Sequence, residues 1–141
     1  HVGRLDIDTS GLLLLTNDGE LANRLTHPSY EIRKTYVARL HGEVKPGVKR
    51  TLMNGIELED GPIQVDAFRV VDTYGDITTV EIVVHEGRNR LVRRMMEAVG
   101  YPVRELVRTG FGPISLDHLK QGTTRRVKGN ALTALYGAVG L

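Results

Sequence analysis

The alternation of apolar and polar positions near the start of the chain predicts one short strand and one short helix. Leu12–Thr16 is an almost unbroken apolar run with turn-forming residues on both sides, which is typical of a short buried strand. Asp18 is suited to cap a helix that continues to about Leu25, and Pro28 prevents this helix from extending much farther. The chain is therefore expected to open with a strand followed by a helix.

Three longer strands are predicted in the middle of the chain. Lys34–Leu40 alternates between apolar and polar side chains, with Tyr36 on the apolar face, which indicates a half-buried strand. Ile63–Val71 and Ile77–His85 are also rich in strand-forming residues. The intervening Tyr74-Gly75-Asp76 predicts a hairpin with a bulged or longer loop. These strands are expected to pair in an antiparallel arrangement.

Helices are predicted at three further places. A short helix is predicted around Val48–Met53, because a proline precedes this segment and a glycine follows it. A longer helix is expected from about Asn89 to Val99, with apolar side chains on one face and arginines on the other. A strand near Val103–Arg108 and a terminal helix after Asn130 complete the pattern. Because strands outnumber helices and several are joined by hairpins, the sequence predicts an α+β fold with a mostly antiparallel mixed sheet and flanking helices.

The composition describes an ordinary globular protein. The chain has 141 residues, of which 40% are hydrophobic and 26% charged, a size that suits one domain with its own core. Cysteine is absent, which excludes disulfides, thiolate catalysis and zinc–sulfur sites and is compatible with a reducing cytoplasm. No apolar run reaches the length of a membrane span, and no signal-peptide pattern opens the chain.

Charge is distributed unevenly along the chain. The net charge is +2, but residues 1–84 carry 9 Lys and Arg against 13 Asp and Glu, whereas residues 85–128 carry 10 against 4. A basic half of this kind is typical of a surface that binds a polyanion, most often nucleic acid. A solvated basic surface without a partner explains the charge equally well.

Two carboxylates, Asp6 and Asp8, lie close to Arg4 just before the first apolar run. One interpretation is an exposed pair of Arg4 with Asp6, which would contribute little to stability. A second is an aspartic-protease turn. However, Asp8-Thr9-Ser10-Gly11 is one residue too long, and the second turn needed for paired carboxylates is missing unless two chains pair. A third interpretation is a lone catalytic carboxylate, Asp6, held by an arginine.

Four arginines cluster where a loop is expected to meet the helix near residue 89: Arg88, Arg90, Arg93 and Arg94. Backbone N–H groups at a helix start and guanidinium groups together favour phosphate binding, although a basic face of an amphipathic helix is a common alternative. Tyr36 has two interpretations as well. It is either a core aromatic side chain or, at the edge of a basic cleft, a surface on which an extruded base stacks.

Four blocks of the sequence, in order, cover nearly the whole chain: GRLDIDTSGLLLLTNDGELANRLTHP, RKTYVARLHGEV, EGRNRLVRRMMEAVGYPVRELVR and GFGPISLDHLKQGTTRRV. In these blocks the chain resembles the bacterial RsuA/RluB/RluE/RluF group of RNA pseudouridine synthases. Leu91 departs from the pattern, since the family usually has Gln at this position. The resemblance implies a pseudouridine synthase fold with an RNA-binding cleft.

The resemblance implies an enzyme that converts a specific uridine of ribosomal RNA to pseudouridine. In that reaction the N1 glycosidic bond breaks, the uracil turns, and C5 bonds to C1′. Asp6 matches the essential catalytic carboxylate of the family. Tyr36 matches the residue that stacks on the uracil and takes the C5 proton. Arg93 matches the arginine that pairs with the catalytic Asp. Asp8 has no catalytic role assigned. The carboxylate either adds to C1′ or removes a 2′ proton to give a glycal, and both routes stay open.

Structured RNA, ribosomal RNA in particular, is the expected partner. The side chains expected to bind it are Arg4, Lys34, Arg88, Arg90 and Arg94. The resemblance implies no cofactor and no metal. We expect a monomer that acts in the cytoplasm without a membrane partner.

Residues 1–141 are expected to form the larger part of a catalytic domain, without its opening portion and without the N-terminal S4 RNA-binding domain that family members normally carry. The main alternative to an enzyme is a non-catalytic RNA-binding module that acts in ribosome assembly. The joint presence of Asp6, Tyr36 and Arg93 argues against this alternative, because simple binding does not need all three.

Overall fold

The computed structural model describes residues 1–141, which form eight strands, four α-helices and one short 3-10 helix, Pro28–Tyr30. In chain order, the strands and α-helices are β1 (Ser10–Gly11), α1 (Gly19–Thr26), β2 (Lys34–His41), α2 (Gly47–Asn54), β3 (Ile56–Leu58), β4 (Gly61–Ile63), β5 (Ala67–Tyr74), β6 (Ile77–Val84), α3 (Leu91–Ala98), β7 (Val103–Phe111), β8 (Ile114–Ser115) and α4 (Gly129–Gly137).

The central sheet combines antiparallel and parallel pairing. Its strand order is β1-β7-β2-β6-β5, and β8 pairs with β7. β2 is antiparallel to both β6 and β7, β5 is antiparallel to β6, and the short β1 runs parallel to β7. β3 and β4 form a separate two-stranded hairpin. The predicted α+β fold with a mostly antiparallel sheet is confirmed.

Two hydrophobic clusters hold these elements together. The larger has 15 buried residues and packs α2 and α3 against the sheet, with Met95 and Met96 of α3 fully buried. The smaller has 10 buried residues and joins the N-terminal segment to α1 and α4. Burial of one such side chain stabilises the fold by about 1.5–3 kcal/mol. Because β7 contributes Leu106 to the larger cluster and Phe111 to the smaller one, the two clusters meet along this strand.

The predicted helices are present, with boundaries close to the expected ones. Asp18 caps α1 as predicted, since its carboxylate accepts a 3.1 Å hydrogen bond from the backbone N–H of Leu21. None of the four helices has both the length and the apolar character that a membrane crossing requires. The face of α3 that the sequence predicts as apolar is buried through Leu91, Val92, Met95 and Met96.

The predicted strand Leu12–Thr16 is wrong. Only β1, just before it, pairs with β7, and Leu14 forms a single bridge with Val2. Beyond β1, the backbone of this run therefore has too few pairing partners to form a strand, although its side chains alternate between the smaller cluster and solvent. Accordingly Leu12 and Leu14 are buried, whereas Leu13 and Leu15 are exposed.

The predicted strand Ile63–Val71 is split into β4 and β5. Between them, the N–H of Val65 donates to the carbonyl of Leu52 in α2 at 3.0 Å. Because this bond ties the backbone to α2, the segment between β4 and β5 does not continue as one strand, and the chain joins the main sheet only at β5. The predicted strand at Val103–Arg108 is present and continues to Phe111.

Candidate active site

A cleft of about 530 Å³ opens where the two hydrophobic clusters meet. Its apolar lining includes Leu25 and Phe111 from the smaller cluster and Val84 and Leu106 from the larger one. Six of the eight site residues predicted from the sequence also line it: Arg4, Asp6, Lys34, Tyr36, Arg88 and Arg90. The other two, Arg93 and Arg94, lie on α3 outside this lining. The predicted Asp and Tyr therefore share one cleft with four of the predicted basic side chains.

Asp6 lies in a tight turn before β1. The backbone N–H of Thr9 donates to the carbonyl of Asp6 at 2.9 Å, which closes the turn. Ile7, next along the turn, is fully exposed. The Asp6 side chain is partly buried, and its carboxylate makes no hydrogen bond and no ion pair with another residue of the chain. This carboxylate is therefore available to a molecule that enters the cleft.

The pair expected between Arg93 and Asp6 is not formed, and this expectation is wrong for the structure. Arg93 instead contacts Asp8: its Nη2 donates to the Asp8 backbone carbonyl at 2.6 Å, and its Nε lies 3.4 Å from the Asp8 Oδ2. Its Nη1 donates to the carbonyl of Val103 at 3.2 Å. The turn explains the difference, because Asp6 faces the cleft while Asp8 faces the side of α3 that carries Arg93. A catalytic role for Arg93 stays a prediction.

Asp8 has a second basic partner in Arg90, whose Nη1 donates to the Asp8 Oδ1 at 2.9 Å. Arg90 immediately precedes α3 and has a left-handed backbone with a φ of 50°, which is uncommon for a residue other than glycine. Desolvation alone would raise the pKa of the Asp8 carboxyl. The hydrogen bond from Arg90 and the charges of Arg93 and Arg90 together outweigh it, so this pKa lies below its ordinary value.

Arg88 and Arg94 are held together by a single carboxylate, that of Asp60 in the turn between β3 and β4. Arg94 binds both Asp60 oxygens at 2.9 Å, and the Nη1 of Arg88 lies 3.2 Å from Oδ1. Arg88 also donates to Glu86 at 2.8 Å and to the carbonyls of the residues that follow Asp60, Gly61 and Pro62. The hydrogen bonds from Arg94 and then Arg88 lower the pKa of Asp60 to about 2, against the opposing effect of desolvation. These two arginines therefore fasten the β3–β4 hairpin to the start of α3. Contact of either arginine with phosphate stays a prediction.

Tyr36 extends into the cleft from β2, where it pairs across the sheet with Arg108 of β7. It is half-buried, and its hydroxyl makes no hydrogen bond within the chain. Lys34, two residues earlier on the same strand, places its Nζ 5.6 Å from the centre of the Phe111 ring. Burial, and secondarily the positive charge of Arg108, lowers the pKa of the Lys34 ammonium.

Arg108 is a residue of the cleft that the sequence reasoning missed. It is only 3% exposed, and its guanidinium lies 5.1 Å from the centre of the Phe111 ring. No carboxylate pairs with it, and its buried Nη2 has no hydrogen-bond partner. The sequence did contain a sign of its role. Arg108 is two residues after Leu106 on a predicted strand, so both side chains lie on the same face, where an apolar residue is expected.

No group of three or more His, Asp or Glu side chains in the structure is arranged to hold a metal ion. The cleft instead combines a free carboxylate, a phenol and several cations, a set suited to acid–base or nucleophilic chemistry on an anionic substrate.

The RNA pseudouridylate synthase family matches residues 1–98, a range that includes Asp6, Tyr36 and the arginine cluster. The chain belongs to this family.

Individual relatives are similar over most or all of the chain. It is 56% identical over 141 residues to an uncharacterized RNA pseudouridine synthase from Mycobacterium tuberculosis, an alignment that covers 100% of this chain and 56% of that protein. It is 46% identical over 128 residues to the ribosomal large subunit pseudouridine synthase B of Bacillus subtilis, covering 89% of this chain and 52% of that protein. The chain thus spans about half the length of these curated relatives.

A solved structure has the same fold. The crystal structure of a pseudouridylate synthase matches with a TM-score of 0.87 and 34% sequence identity, covering 95% of this chain and 58% of that one.

Proposed function

We propose that the protein converts a specific uridine of ribosomal RNA to pseudouridine, with Asp6 as the essential catalytic carboxylate. The observation that carries this proposal is that the unpaired carboxylate of Asp6 and the phenol of Tyr36 line one cleft. Membership of the RNA pseudouridylate synthase family supports the reaction type.

The cleft has the size and polarity that a flipped nucleotide needs. A uridine inside a stem cannot be reached by a carboxylate, so it must leave the stack and enter a pocket. A volume of about 530 Å³ lies within the usual range for small-ligand sites. The cationic lining, which includes Arg4 and Lys34, suits the phosphates on either side of such a nucleotide. Tyr36 offers a ring on which the uracil stacks.

The reaction is an isomerisation in which atoms balance without a co-reactant. The N1–C1′ bond breaks, the C5–C1′ bond forms, C5 loses its proton and N1 gains one. The Asp6 carboxylate serves both possible routes. In the first, its oxygen attacks C1′ as the N1–C1′ bond breaks, and the new O–C1′ bond breaks when C5 bonds to C1′. In the second, it removes the C2′ proton as N1 leaves and returns that proton when C5 bonds to C1′. Tyr36 is the proposed acceptor of the C5 proton: its oxygen takes this proton as its own hydroxyl proton passes to solvent, and the hydroxyl has no competing partner in the chain.

Ribosomal RNA is the proposed substrate because the Bacillus subtilis relative is named as an enzyme of the large ribosomal subunit. A substrate of this kind implies that the protein acts in the cytoplasm.

One observation favours a second candidate, an RNA-binding module without turnover. Asp6 has no cationic partner in the structure, and Arg93, the arginine expected to pair with it, contacts Asp8. The arginine that the resemblance places beside the catalytic carboxylate is therefore engaged elsewhere, and simple RNA binding does not need that pair.

Mapping of pseudouridines in ribosomal RNA tests the proposal. Cells without the gene are compared with cells that express the complete wild-type gene product, its Asp6→Asn variant or its Asp72→Asn variant. Asp72 is a matched control because it is an exposed carboxylate on β5 outside the cleft. We expect a pseudouridine to disappear with the gene and to return with wild type and Asp72→Asn only. If no ribosomal position responds, the proposed substrate is wrong. If Asp6→Asn restores the modification, the role of Asp6 is wrong.

A further inference from the structure

We infer that Arg108 is a positioning residue that fastens both ends of the segment carrying Asp6. This segment, residues 4–12, is called the Asp6 segment below. The inference rests on the proposed function, in which Asp6 performs the chemistry.

The Arg108 side chain reaches both ends of the Asp6 segment. Its Nε donates to the carbonyl of Leu12 at 3.0 Å, and its Nη1 donates to the carbonyl of Arg4 at 3.4 Å. The first bond has ordinary length and the second is long. A guanidinium holds its donors in a rigid planar fork, so the two carbonyls are fixed relative to each other as well as to β7.

The Arg108 backbone holds the same segment a second time. The N–H of Leu12 donates to the Arg108 carbonyl at 2.8 Å, and β1 pairs in parallel with β7 through Gly11 and Arg108. The approach is so close that a Cβ at position 11 would lie 2.2 Å from the Arg108 carbonyl oxygen, and Gly11 has a φ of +115°. Glycine at this position therefore lets the Asp6 segment lie directly against Arg108.

The electrostatic setting argues that the guanidinium is more than a space-filling group. A buried cation without a carboxylate is unfavourable, and an apolar side chain would fill the same volume without that cost. Here the guanidinium has only two carbonyl acceptors and the face of Phe111, and its Nη2 has no partner. What the guanidinium provides and an apolar side chain cannot is the pair of hydrogen bonds to the Leu12 and Arg4 carbonyls, which fix the position of the Asp6 segment.

This arrangement makes a specific kinetic prediction. RNA affinity depends mainly on exposed cations, whereas the chemical step depends on where the Asp6 carboxylate lies relative to the flipped nucleotide. A displacement of about 1 Å is enough to cost about 10²-fold in rate. Loss of the Arg108 contacts should therefore lower kcat and leave KM nearly unchanged.

The experiment compares Arg108→Lys, Arg108→Met and Arg39→Met in the complete gene product, with turnover measured on the RNA substrate. Arg39→Met is the matched control, because Arg39 is exposed outside the cleft and pairs only with Glu105. We expect Arg108→Met to lower kcat by about 10²-fold with KM within about twofold. Arg108→Lys keeps the charge but not the fork, so it should fall between wild type and Arg108→Met. Arg39→Met should behave as wild type.

A second readout follows the Asp6 segment itself. Hydrogen exchange of the peptide that contains residues 4–12 should be faster in both Arg108 variants and unchanged in Arg39→Met, while exchange of β5 and β6 stays the same in all. If Arg108→Met does not fold, Arg108→Lys decides the question. A wild-type kcat in the folded Arg108 variants, or a loss confined to KM, would overturn the inference.

The variant Asp6→Asn, measured in parallel, separates the two claims. If it is inactive and the Arg108 variants are fully active, only the positioning role is wrong. If it is active, the proposed function is wrong, and the inference that rests on it falls too.

Discussion

Arg93 is joined to Asp8 through both the backbone and the side chain of Asp8, with contacts of 2.6 Å to the carbonyl and 3.4 Å to Oδ2. Arg93 lies on α3, and Asp8 lies two residues after Asp6. The turn that carries Asp6 is therefore bound to α3 on one side and to Arg108 of β7 on the other. Asp6 itself remains unpaired and faces the cleft.

Asp8→Asn should lower stability slightly and reduce turnover much less than Asp6→Asn. The backbone contact to Arg93 survives the substitution, so the turn keeps one of its attachments. The Asp8 side chain is 41% exposed, which limits the loss to about 3 °C or less in Tm.

The effect of Asp8 should depend on pH. Its pKa in the folded protein lies below the ordinary value, so its contribution to stability is present above about pH 4 and is lost as the pH falls through the folded pKa. Thermal melts of wild type and Asp8→Asn between pH 3 and pH 7 check this, because the two Tm values should converge at the acid end. A difference that stays constant over this range would show that the ion pairs do not cause it.

Asp60→Asn should destabilise the protein at neutral pH, since Asp60 is the carboxylate that holds Arg88 and Arg94. The folded pKa of Asp60 is about 2, below its unfolded value of about 4. The stabilisation is therefore complete above about pH 4 and is lost as the pH falls toward 2. Asp72→Asn is the control, because Asp72 is exposed and unpaired. Equal Tm values for the two variants at pH 7 would contradict the structural role of Asp60.

The same Asp60→Asn substitution should tighten RNA binding. It removes one negative charge and releases the Arg94 guanidinium for phosphate, while Arg88 keeps its bonds to Glu86 and to the Gly61 and Pro62 carbonyls. We expect a higher affinity at low salt together with a steeper salt dependence. Unchanged affinity and slope would indicate that these arginines serve the fold alone.

Arg90→Ala should weaken binding to all RNAs by a similar factor. Its side chain is 44% exposed at the rim of the cleft, more than those of Arg88 and Arg94. The log–log slope of affinity against salt should become flatter by about one unit or less. Arg69→Ala is the matched control, because Arg69 is exposed outside the cleft and pairs with Glu81. If both variants change the slope equally, the effect is one of net charge and not of the cleft.

Tyr36→Phe should separate stacking from proton transfer. The variant keeps the ring but loses the hydroxyl, so RNA affinity should stay within about twofold. Turnover should fall by at least about 10²-fold if the oxygen accepts the C5 proton. Filter binding and turnover on the same RNA give both quantities. A variant with near wild-type turnover would show that Tyr36 is only a stacking surface.

The sequence predicted those helices and strands in which the pattern of apolar and polar residues is regular, or which begin with a clear capping residue. The apolar face of α3, the alternation around Tyr36 in β2 and the Asp18 cap are all found as expected. The strand Leu12–Thr16 was wrongly predicted because an apolar run does not reveal whether its backbone has a pairing partner, and here only the Leu14–Val2 bridge forms beyond β1.

Contacts between side chains that are far apart in the chain could not be predicted from the sequence. The resemblance indicated an arginine near Asp6, but only the geometry of the turn reveals that Arg93 meets Asp8. In the same way, the attachment of Arg94 to Asp60 joins positions 34 residues apart. Arg108 was overlooked because a cation on a strand is normally exposed, and its burial results from the contact of β7 with the Asp6 segment.

Release of tritium from ribosomal RNA that carries 5-tritiated uridine tests the central claim most directly. Formation of pseudouridine expels the C5 hydrogen, so release measures the chemical step and not binding. Asp6→Asn keeps the size of the side chain and removes its charge. It should lower release by at least about 10²-fold while RNA affinity is retained or slightly increased, because one negative charge leaves a site for a polyanion. Asp72→Asn should release tritium at the wild-type rate. Release by Asp6→Asn at a rate close to wild type, with the same RNA bound, would contradict the assignment of Asp6 as the catalytic carboxylate.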